Sequence, residues 1–527
     1  MSNHSRTCAV IVLICALMAV LCASGAMAGS VGDPAGATTG GSGDVIGAAP
    51  NSPTQKDLDA ADKTEPFAKK LAETVGQNRV AINMSWTLIA AFLVMFMQAG
   101  FALVETGFTR AKNAAHTMFM NFSVYAIGII GFFVAGFAIM YGAAGAIGNL
   151  GGTPTLAGGH EFVLTILGKK FGLFGTSGFL LQGPYYDIGV AALFVFQMVF
   201  MDTAVTIPTG SMAERWRLAS FLVYGLFMSI ILYPVFGNWA WGGGWLSQLG
   251  ANFGLGNGYV DFAGSGVVHS VGGLCALAGA VVLGPRIGKF SRDGKANAIP
   301  GHHIPMAILG TLILAFGWFG FNPGSTLGMS GGGNLRAAMV TLTTMLASAS
   351  GCAAAVIYML CKTGKPDPTM GANGMLAGLV AITAPCAFVT PGEAFIIGAI
   401  AGVLVCIGVA VLDKIHVDDP VGAVAVHGMN GLFGVLCVGL FADGTFGGGL
   451  NGVSHGVVGL FHGGGFGQLG AQLIGCITLL VWALGGSYVY FKVMNKIIPM
   501  RVSKDDELAG VDMSETGLLA YPEFEVK

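Results

Sequence analysis

The stretches DFAGSGVVHSVGGL (residues 261–274) and DPVGAVAVHGMNGL (residues 419–432) share one pattern: an Asp, seven intervening residues, a His, and Gly-Leu four and five residues further on. The two copies are offset by 158 residues (419 − 261 = 427 − 269). Both lie in apolar, glycine-rich sequence, where an ionisable side chain is costly unless it is satisfied or used. The pair His269 and His427 is therefore the first candidate for function.

The composition around this pair is that of an integral membrane protein. Charged residues make up 10% and hydrophobic residues 54% of the 527 positions, whereas soluble domains carry about 25% charged residues. No basic stripe accompanies the net charge of −2, so we expect no nucleic-acid partner. Apolar runs of about 20 residues recur along the chain, and each can cross about 30 Å of hydrocarbon as a helix. They predict an all-α protein with eleven transmembrane helices. These helices are expected at approximately 83–107, 118–143, 187–210, 217–240, 261–284, 303–322, 336–361, 371–389, 394–413, 421–441 and 469–495.

The segments outside these spans have different compositions. Residues 1–28 have the form of a secretory signal peptide, with Arg6, an apolar core and the small-residue site Ala26-Met27-Ala28. Residues 29–82 are rich in Gly, Ala, Ser, Pro, Asp and Lys and predict a flexible extracytoplasmic tail with at most one short helix near 67–75. The transport domain would then occupy 83–497, followed by a cytoplasmic tail, 498–527.

The distribution of Lys and Arg predicts the orientation, because such residues are enriched in cytoplasmic loops. Loops after even-numbered spans hold little beyond Lys169, Lys170 and Arg336. Basic residues follow every odd-numbered span: Arg110, Lys112, Arg215, Arg217, Arg286, Lys289, Arg292, Lys295, Lys362, Lys365, Lys414, Lys492, Lys496 and Arg501. We therefore expect a multi-pass protein of the cell (inner) membrane, with its N-terminus extracytoplasmic and its C-terminus cytoplasmic.

This orientation makes the two copies of the motif antiparallel. Spans 1–5 and 6–10 would form inverted repeats, an arrangement that places a shared pathway at the repeat interface near the midplane. Eight residues of helix advance about 12 Å from each face. Two such advances into about 30 Å of hydrocarbon leave His269 and His427 about 6 Å apart in depth, so we expect them to lie within reach of each other.

A midplane histidine pair has three interpretations. Each His can hydrogen-bond a neighbouring helix as a structural residue, or the two can ligate a haem, although the sequence places no third or fourth intramembrane His to help. The third interpretation is a narrow pore, in which uncharged imidazoles give a small polar permeant one or two hydrogen bonds. A cation in such a pore loses its hydration at a cost of several kcal/mol, so the third interpretation favours passage of a neutral amine.

Seven longer motifs carry a resemblance to a known family. They are MQAGFALVETGFTRAKN (97–113), GSMAER (210–215), WGGG (241–244), DFAGSGVVHSVGGL (261–274), GWFGFNPGS (317–325), VDDPVGAVAVHG (417–428) and GVDMSETGLLAYP (510–522). Over about residues 85–521 the chain resembles the ammonium transporter (Amt/Mep/Rh) family, and bacterial Amt proteins most of all. The resemblance implies a homotrimer with one pore per subunit, conducting ammonia after recruiting ammonium, with methylammonium as an analogue, and no cofactor or enzymatic activity.

The resemblance also implies roles for individual residues. His269 and His427 would be the paired pore histidines, and Phe200 and Phe321 the stacked rings that close the outer end of the pore. Trp318 and Thr383 would lie beside the pore. The outer substrate site would be formed by Trp241, Ser325, Phe200 and Asp261.

Several alternatives remain open at the level of the sequence. The same fold can act as an ammonium sensor through a partner at the C-terminal tail. The resemblance also implies a PII-type signalling protein as a partner at the cytoplasmic face. Asp261 can also cap the helix that follows it. Glu105, a carboxyl inside the first span, can join helices or influence the pore. The histidines of the 442–468 loop lack the spacing of a metal site.

Overall fold

The computed structural model describes residues 40–46, 52–142, 148–151, 161–331 and 334–524. The predicted signal peptide, 1–28, lies outside the described residues. Within them run eleven apolar helices of 16 residues or more: α1 Pro66–Phe108, α2 Ala111–Tyr141, α3 Ile188–Met212, α4 Leu218–Ala240, α5 Ser265–Leu283, α6 Ile304–Thr326, α7 Arg336–Thr363, α8 Pro368–Thr383, α9 Pro391–Lys414, α10 Val424–Phe441 and α11 Gly467–Ile497.

These helices confirm the predicted all-α membrane architecture. Among the described residues, ten helices are long and apolar enough to cross a membrane. The exception is α8, whose 16 residues extend about 24 Å at 1.5 Å per residue. Turns follow it up to Thr390, the N-cap residue of α9. The number of complete crossings, eleven, therefore stays a prediction.

From Gln55 onward the structure is helical where the sequence analysis predicted a flexible tail with at most one short helix. A helix runs from Gln55 to Thr64, and α1 begins at Pro66 rather than at residue 83. Thr54 and Asp57 form a capping box at the first of these helices, and Pro66 lies in the first turn of α1, which are both common helix starts. The Ala, Lys, Glu and Gln residues that follow are good helix formers, so intrinsic propensity extends α1 beyond its apolar part.

Glycine contacts define the relative directions of the helices. A Cβ added at Gly100 would meet Gly310 and Leu314, and one at Gly107 would meet Ala307. Residue numbers in α6 therefore fall as those of the contacting residues in α1 rise, so α1 and α6 are antiparallel. In contrast, α5 runs parallel to α3, since Gly272 lies against Ala204 and Gly279 against Met212. Both relations agree with an alternating path through a membrane.

The loops separate onto two faces as the alternation requires. On one face the loops after α1, α5, α9 and α11 contact one another, through pairs such as His302 with Thr109 and Lys289 with Asp413. On the other face the segments that follow even-numbered helices contact one another. His462, which follows α10, contacts Glu393 in the first turn of α9, which follows the α8–α9 loop. We refer to these as the inner and outer faces. The inner face carries the basic loops, and the side of the membrane on which it lies stays a prediction.

The crossing of α5 and α10 has the reciprocity of a two-fold repeat. A Cβ at Gly273 would fall on the backbone of Gly428, and a Cβ at Gly431 would fall on Ser270. Gly273 and Gly431 are equivalent positions of the two motif copies, and so are Ser270 and Gly428, because each pair is separated by the motif offset (431 − 273 = 428 − 270 = 158). The two copies therefore exchange the same contact, as the inverted repeat predicts.

Two elements were not predicted from the sequence. An antiparallel hairpin, β1 Glu161–Ile166 with β2 Lys169–Gly175, lies between α2 and α3. The segment after α11 folds into a short helix, Lys504–Ala509, and a π-helical turn, Asp512–Thr516. This C-terminal segment is held on the inner face, where the carboxylate of Asp512 accepts hydrogen bonds from the amides of Ala115 and His116.

The α5–α10 crossing yields a prediction for glycine substitutions. We expect Gly273→Ala to destabilise the protein by about 1–3 kcal/mol, because the added Cβ overpacks a backbone contact. Gly392→Ala is the matched control, since nothing lies within 4 Å of a Cβ there. Thermal unfolding of the purified protein, followed by size-exclusion chromatography, measures both variants. Equal stability of the two would contradict the close crossing.

Candidate functional site

The structure brings the two motif histidines together. His269 lies in a π-helical turn at the start of α5, and His427 lies in the corresponding turn of α10. Their Nδ1 atoms are 3.2 Å apart, and their ring centroids are 5.3 Å apart with an interplanar angle of 23°. Both side chains are buried. The contact expected from the helix advance is therefore present.

The Nδ1 to Nδ1 contact restricts the protonation of the pair. One Nδ1 must donate its proton and the other must accept it, since two protons or two lone pairs would repel. The Nε2 atom of the donor ring is then an acceptor, and the Nε2 atom of the other ring carries a proton. The outer edges of the neutral pair thus offer one acceptor and one donor. Reversing this polarity requires both rings to change tautomer, so that the Nε2 proton moves as well as the shared one.

Three aromatic rings lie on the outer side of His269. Trp318 and Phe321 of α6 stack on its imidazole, with centroids at 5.2 and 5.3 Å. Trp318 is fixed by a hydrogen bond of 2.9 Å from Nε1 to the hydroxyl of Thr383. Phe321 in turn stacks on Phe200 of α3, at 4.1 Å and 22°. The two phenylalanines are almost fully buried, and ring contacts run without a break from Phe200 through Phe321 to His269.

An outer cavity of about 370 Å³ reaches this stack at Phe200. Its lining includes Phe200, Trp241, Asp261 and Ser325, all four residues proposed from the sequence for the substrate site. The Trp241 indole donates to the carbonyl of Asp261 at 2.6 Å, and the Ser325 hydroxyl donates to the carbonyl of Phe321 at 2.8 Å. Because both donors are used within the protein, a ring face and hydroxyl lone pairs remain for a ligand, which suits a cation.

The Asp261 carboxylate is occupied by the backbone of its own loop. It accepts hydrogen bonds from the amides of Gly264, Gly266 and Val267 at 2.8–2.9 Å, and Asp419 accepts those of Ala423 and Val424 in the same way. Asp261 thus begins α5 with its side chain and orients Trp241 with its carbonyl. Its effect on a ligand in the outer cavity would be that of a nearby negative charge.

An inner cavity of about 20 Å³ lies on the opposite side of the pair. Its lining includes His427, Phe101 and Glu105, and the Phe101 ring lies 6.0 Å from the His427 ring. The sequence analysis did not identify Phe101. It lies four residues before Glu105, on the same face of α1. This spacing from an intramembrane carboxyl was the sequence signal that could have indicated that the two residues lie together.

Glu105 also joins three helices. Its carboxyl accepts hydrogen bonds from the Thr209 hydroxyl of α3 at 2.5–2.6 Å and from the Asn121 amide of α2 at 2.7 Å. Asn121 accepts in turn from Thr206 at 2.7 Å. Both interpretations of Glu105 given by the sequence are therefore compatible with its position, because the same carboxyl connects helices and lines the inner cavity.

A buried ion-pair cluster underlies the pore at the inner face. Arg286 donates to both carboxylate oxygens of Asp418, at 2.8–3.0 Å, and contacts Glu214 at 3.2 Å. Burial alone would raise the pKa of Asp418, but its hydrogen bonds with Arg286 and the charge of Arg215 lower the pKa to about 2. The cluster therefore stays ionised and ties the loops after α3 and α5 to the start of α10.

The geometry of the histidines disfavours a metal between them. A metal–imidazole bond is about 2 Å long, so a metal ion between opposed nitrogens would hold them about 4 Å apart. The Nδ1 atoms are at hydrogen-bond distance instead, and stacked rings cover His269. In the described part of the chain, no group of three or more His, Cys, Asp or Glu side chains is arranged to hold a metal ion.

Comparisons with known proteins agree with one another. Residues 85–521 match the model of the Ammonium Transporter Family. The chain is 44% identical to ammonium transporter Amt2 of Archaeoglobus fulgidus over 457 residues, covering 86% of this chain and 91% of that protein. It is 37% identical over 453 residues to ammonium transporter Amt1 of Haloferax mediterranei, covering 84% of this chain and 80% of that protein.

Solved structures show the same relationship. A structure titled "Sensor Amt Protein" superimposes with a TM-score of 0.70 at 35% identity, covering 83% of this chain and 99% of that one. The crystal structure of Saccharomyces cerevisiae Mep2 superimposes with a TM-score of 0.69 at 25% identity, covering 84% of this chain and 94% of that one.

The hydrogen bonds of Asp261 yield a second prediction. We expect Asp261→Asn to lower stability by about 1–3 kcal/mol, because an amide has one acceptor oxygen for three buried backbone donors. Asp367→Asn is the matched control: the amides of Thr369 and Met370 bond a single oxygen of Asp367, which Asn retains, at a site that is partly open to solvent, and we expect a smaller loss. Thermal unfolding compares the two. A fully stable Asp261→Asn protein would show that the cap is dispensable.

Proposed function

The chain belongs to the Ammonium Transporter Family, and we propose that it recruits NH₄⁺ in the outer cavity, removes a proton near Phe200 and Phe321, and conducts NH₃ past His269 and His427. The observation that carries this proposal is the continuous series from the outer cavity through the phenylalanine stack to the contacting histidines. We further propose a homotrimer in the cell membrane, with the outer face extracytoplasmic.

Recruitment would depend on Trp241, Phe200 and Ser325. The Phe200 and Trp241 rings meet edge to face at 6.3 Å and offer π surfaces to a cation. Such an interaction contributes about 0.5–2 kcal/mol, enough to concentrate ammonium but too little to replace its hydration shell. The Ser325 oxygen would accept one hydrogen bond from the ion, while the Asp261 carboxylate adds a favourable negative charge.

Proton loss would occur where the outer cavity ends. Beyond the stacked phenylalanines the passage is enclosed by the rings of Trp318, Phe321 and His269, which cannot replace the hydration of a charge. An ammonium ion can continue as ammonia by transferring its proton to a water molecule of the outer cavity, whereas K⁺ has no proton to release. This difference provides selectivity between the two ions that the outer site alone does not provide.

The histidine pair would stabilise ammonia after deprotonation. With its donor and acceptor edges, the pair can both accept an N–H hydrogen bond and donate one to the nitrogen lone pair. A neutral amine has both kinds of group, so it can pass from His269 to His427 without leaving either unsatisfied. A cation offers donors only, and its charge would remain uncompensated between the rings.

A sensor role is the second candidate function. The similarity to the structure titled "Sensor Amt Protein" favours it, as does the C-terminal segment held on the inner face by Asp512. In this role, ammonium in the pore would be signalled through a partner at 498–527, for which a PII-type protein is the family expectation. Uptake of methylammonium by a strain without its own transporters separates the candidates, because a pure sensor would not restore it.

Replacing both histidines tests the transport mechanism. We expect His269→Ala with His427→Ala to lower methylammonium uptake into proteoliposomes roughly fivefold to a hundredfold, or to admit K⁺, because each lost hydrogen bond is worth about 0.5–1.5 kcal/mol. Uptake of labelled methylammonium and K⁺ currents are the measurements, with size-exclusion chromatography as the control for folding. Unchanged uptake together with unchanged exclusion of K⁺ would refute the role of the pair.

Replacing Trp241 tests recruitment separately from conduction. We expect Trp241→Leu to raise the half-saturating methylammonium concentration about 2- to 30-fold, the equivalent of 0.5–2 kcal/mol of lost cation–π attraction, with a similar maximal rate. Trp245→Leu is the control, because Trp245 packs against Trp239 and does not line the outer cavity. If both variants shift the half-saturating concentration equally, Trp241 has no special role in recruitment.

A further inference from the structure

The inner cavity contains a carboxyl for which the transport mechanism above has no use. Glu105 and His427 line this cavity together, on the side of the pair away from the phenylalanine stack. We propose that Glu105 is the acid that returns a proton to ammonia at the inner end of the pore and then binds the ammonium ion it has formed. This inference rests on the proposed function, since it requires ammonia to arrive at His427.

The size of the cavity fits this step. It offers about 20 Å³ to the centre of a water-sized molecule, and roughly 10–15 Å³ is enough to hold one water. Ammonia and ammonium are also molecules of one heavy atom. The cavity therefore holds a single permeant, in contact with the residues that surround it, and excludes a hydrated ion.

The orientation of His427 directs a permeant toward Glu105. Its Nδ1 atom is engaged by His269 at 3.2 Å, so Nε2 is the polar atom left at the far edge of the ring. His427 is only 5% exposed and lines the cavity. Ammonia released from this edge enters a space whose acidic wall is the Glu105 carboxyl.

The surroundings of Glu105 leave its charge uncompensated. Its hydrogen-bond partners, Thr209 and Asn121, are neutral, and none of the ion pairs between described residues includes Glu105. The charged group that acts on it is another carboxylate, Asp419, whose oxygens accept backbone hydrogen bonds. A buried carboxyl without a counter-ion holds either a proton or a cation, and the proposed step alternates between these two states.

The proton transfer is balanced within this cavity. The O–H bond of the Glu105 carboxylic acid breaks as an N–H bond forms on ammonia, which leaves NH₄⁺ beside the carboxylate. The ion then departs to the inner face, and the carboxylate takes a proton from hydronium in the aqueous phase there. The phenylalanine stack and this carboxyl would thus be the two points at which the permeant changes charge.

Glu105→Gln removes the transferable proton and keeps the hydrogen bonds. The amide oxygen can accept from Asn121, and the amide nitrogen can donate to Thr209, whose hydroxyl can donate to the Thr206 carbonyl as it already does. We expect the initial rate of methylammonium uptake per folded protein to fall at least about tenfold, since general acids contribute about 10²–10⁴ to proton-transfer steps. The half-saturating concentration should stay within about twofold, because the outer site is intact.

Two further variants make the experiment decisive. Asp202→Asn neutralises another buried carboxyl, on α3, that lines neither cavity, and its uptake should match that of the parent. Glu105→Asp keeps a carboxyl and should recover at least about a third of the parent rate. The inference is overturned if Glu105→Gln transports within twofold of the parent, if Asp202→Asn falls as far, or if Glu105→Asp is no better than Glu105→Gln. A parent protein without uptake would refute the proposed function itself.

Discussion

The contact between the α5 and α10 backbones is the constraint on which the pore depends. Two imidazoles reach hydrogen-bond distance across two helices only if no side chain separates the helices at the crossing. Gly273, Gly428 and Gly431 provide this space, and the crossing repeats itself under the offset of 158 residues. The Asp261 and Asp419 carboxylates fix where each helix begins by accepting its first amides. Helix position, rather than histidine chemistry alone, therefore determines where the two rings meet.

A membrane protein must satisfy its polar groups internally, and the way this one does so determines what its pore can hold. In the outer cavity the donors of Trp241 and Ser325 are used by backbone carbonyls, which leaves acceptors and ring faces for a ligand. At the midplane the histidines satisfy each other through Nδ1 and leave one donor edge and one acceptor edge. Under the proposed mechanism, the lining would thus change from cation-binding to amine-binding along the path.

Patterns with a clear physical cause were predictable from the sequence. Apolar length predicted the membrane helices, loop charge predicted the two faces, and the repeated Asp-to-His spacing predicted the contact of His269 and His427. The helical extension of α1 from Pro66 was missed because it depends on helix propensity rather than on apolar composition. The stacking of Phe200 on Phe321 came from family resemblance, since nothing in the spacing of two among 35 phenylalanines indicates that they touch. The four-residue spacing of Phe101 and Glu105 indicates that they share a face of α1, but the cavity that they line depends on how α1 packs, which this spacing does not encode.

The two cavities differ in volume, and under the proposed mechanism this difference would put the main free-energy barrier of transport between them. The outer one, at about 370 Å³, accommodates an ion with part of its water, whereas the inner one, at about 20 Å³, accommodates a single small molecule. Dehydration must therefore be complete between them, at the stack of Phe200 and Phe321. Aromatic faces there return about 0.5–2 kcal/mol, well below the cost of removing water from a buried charge. In the proposed mechanism a permeant that becomes neutral at this point avoids the remaining cost, so proton loss rather than pore width would be the basis of selection.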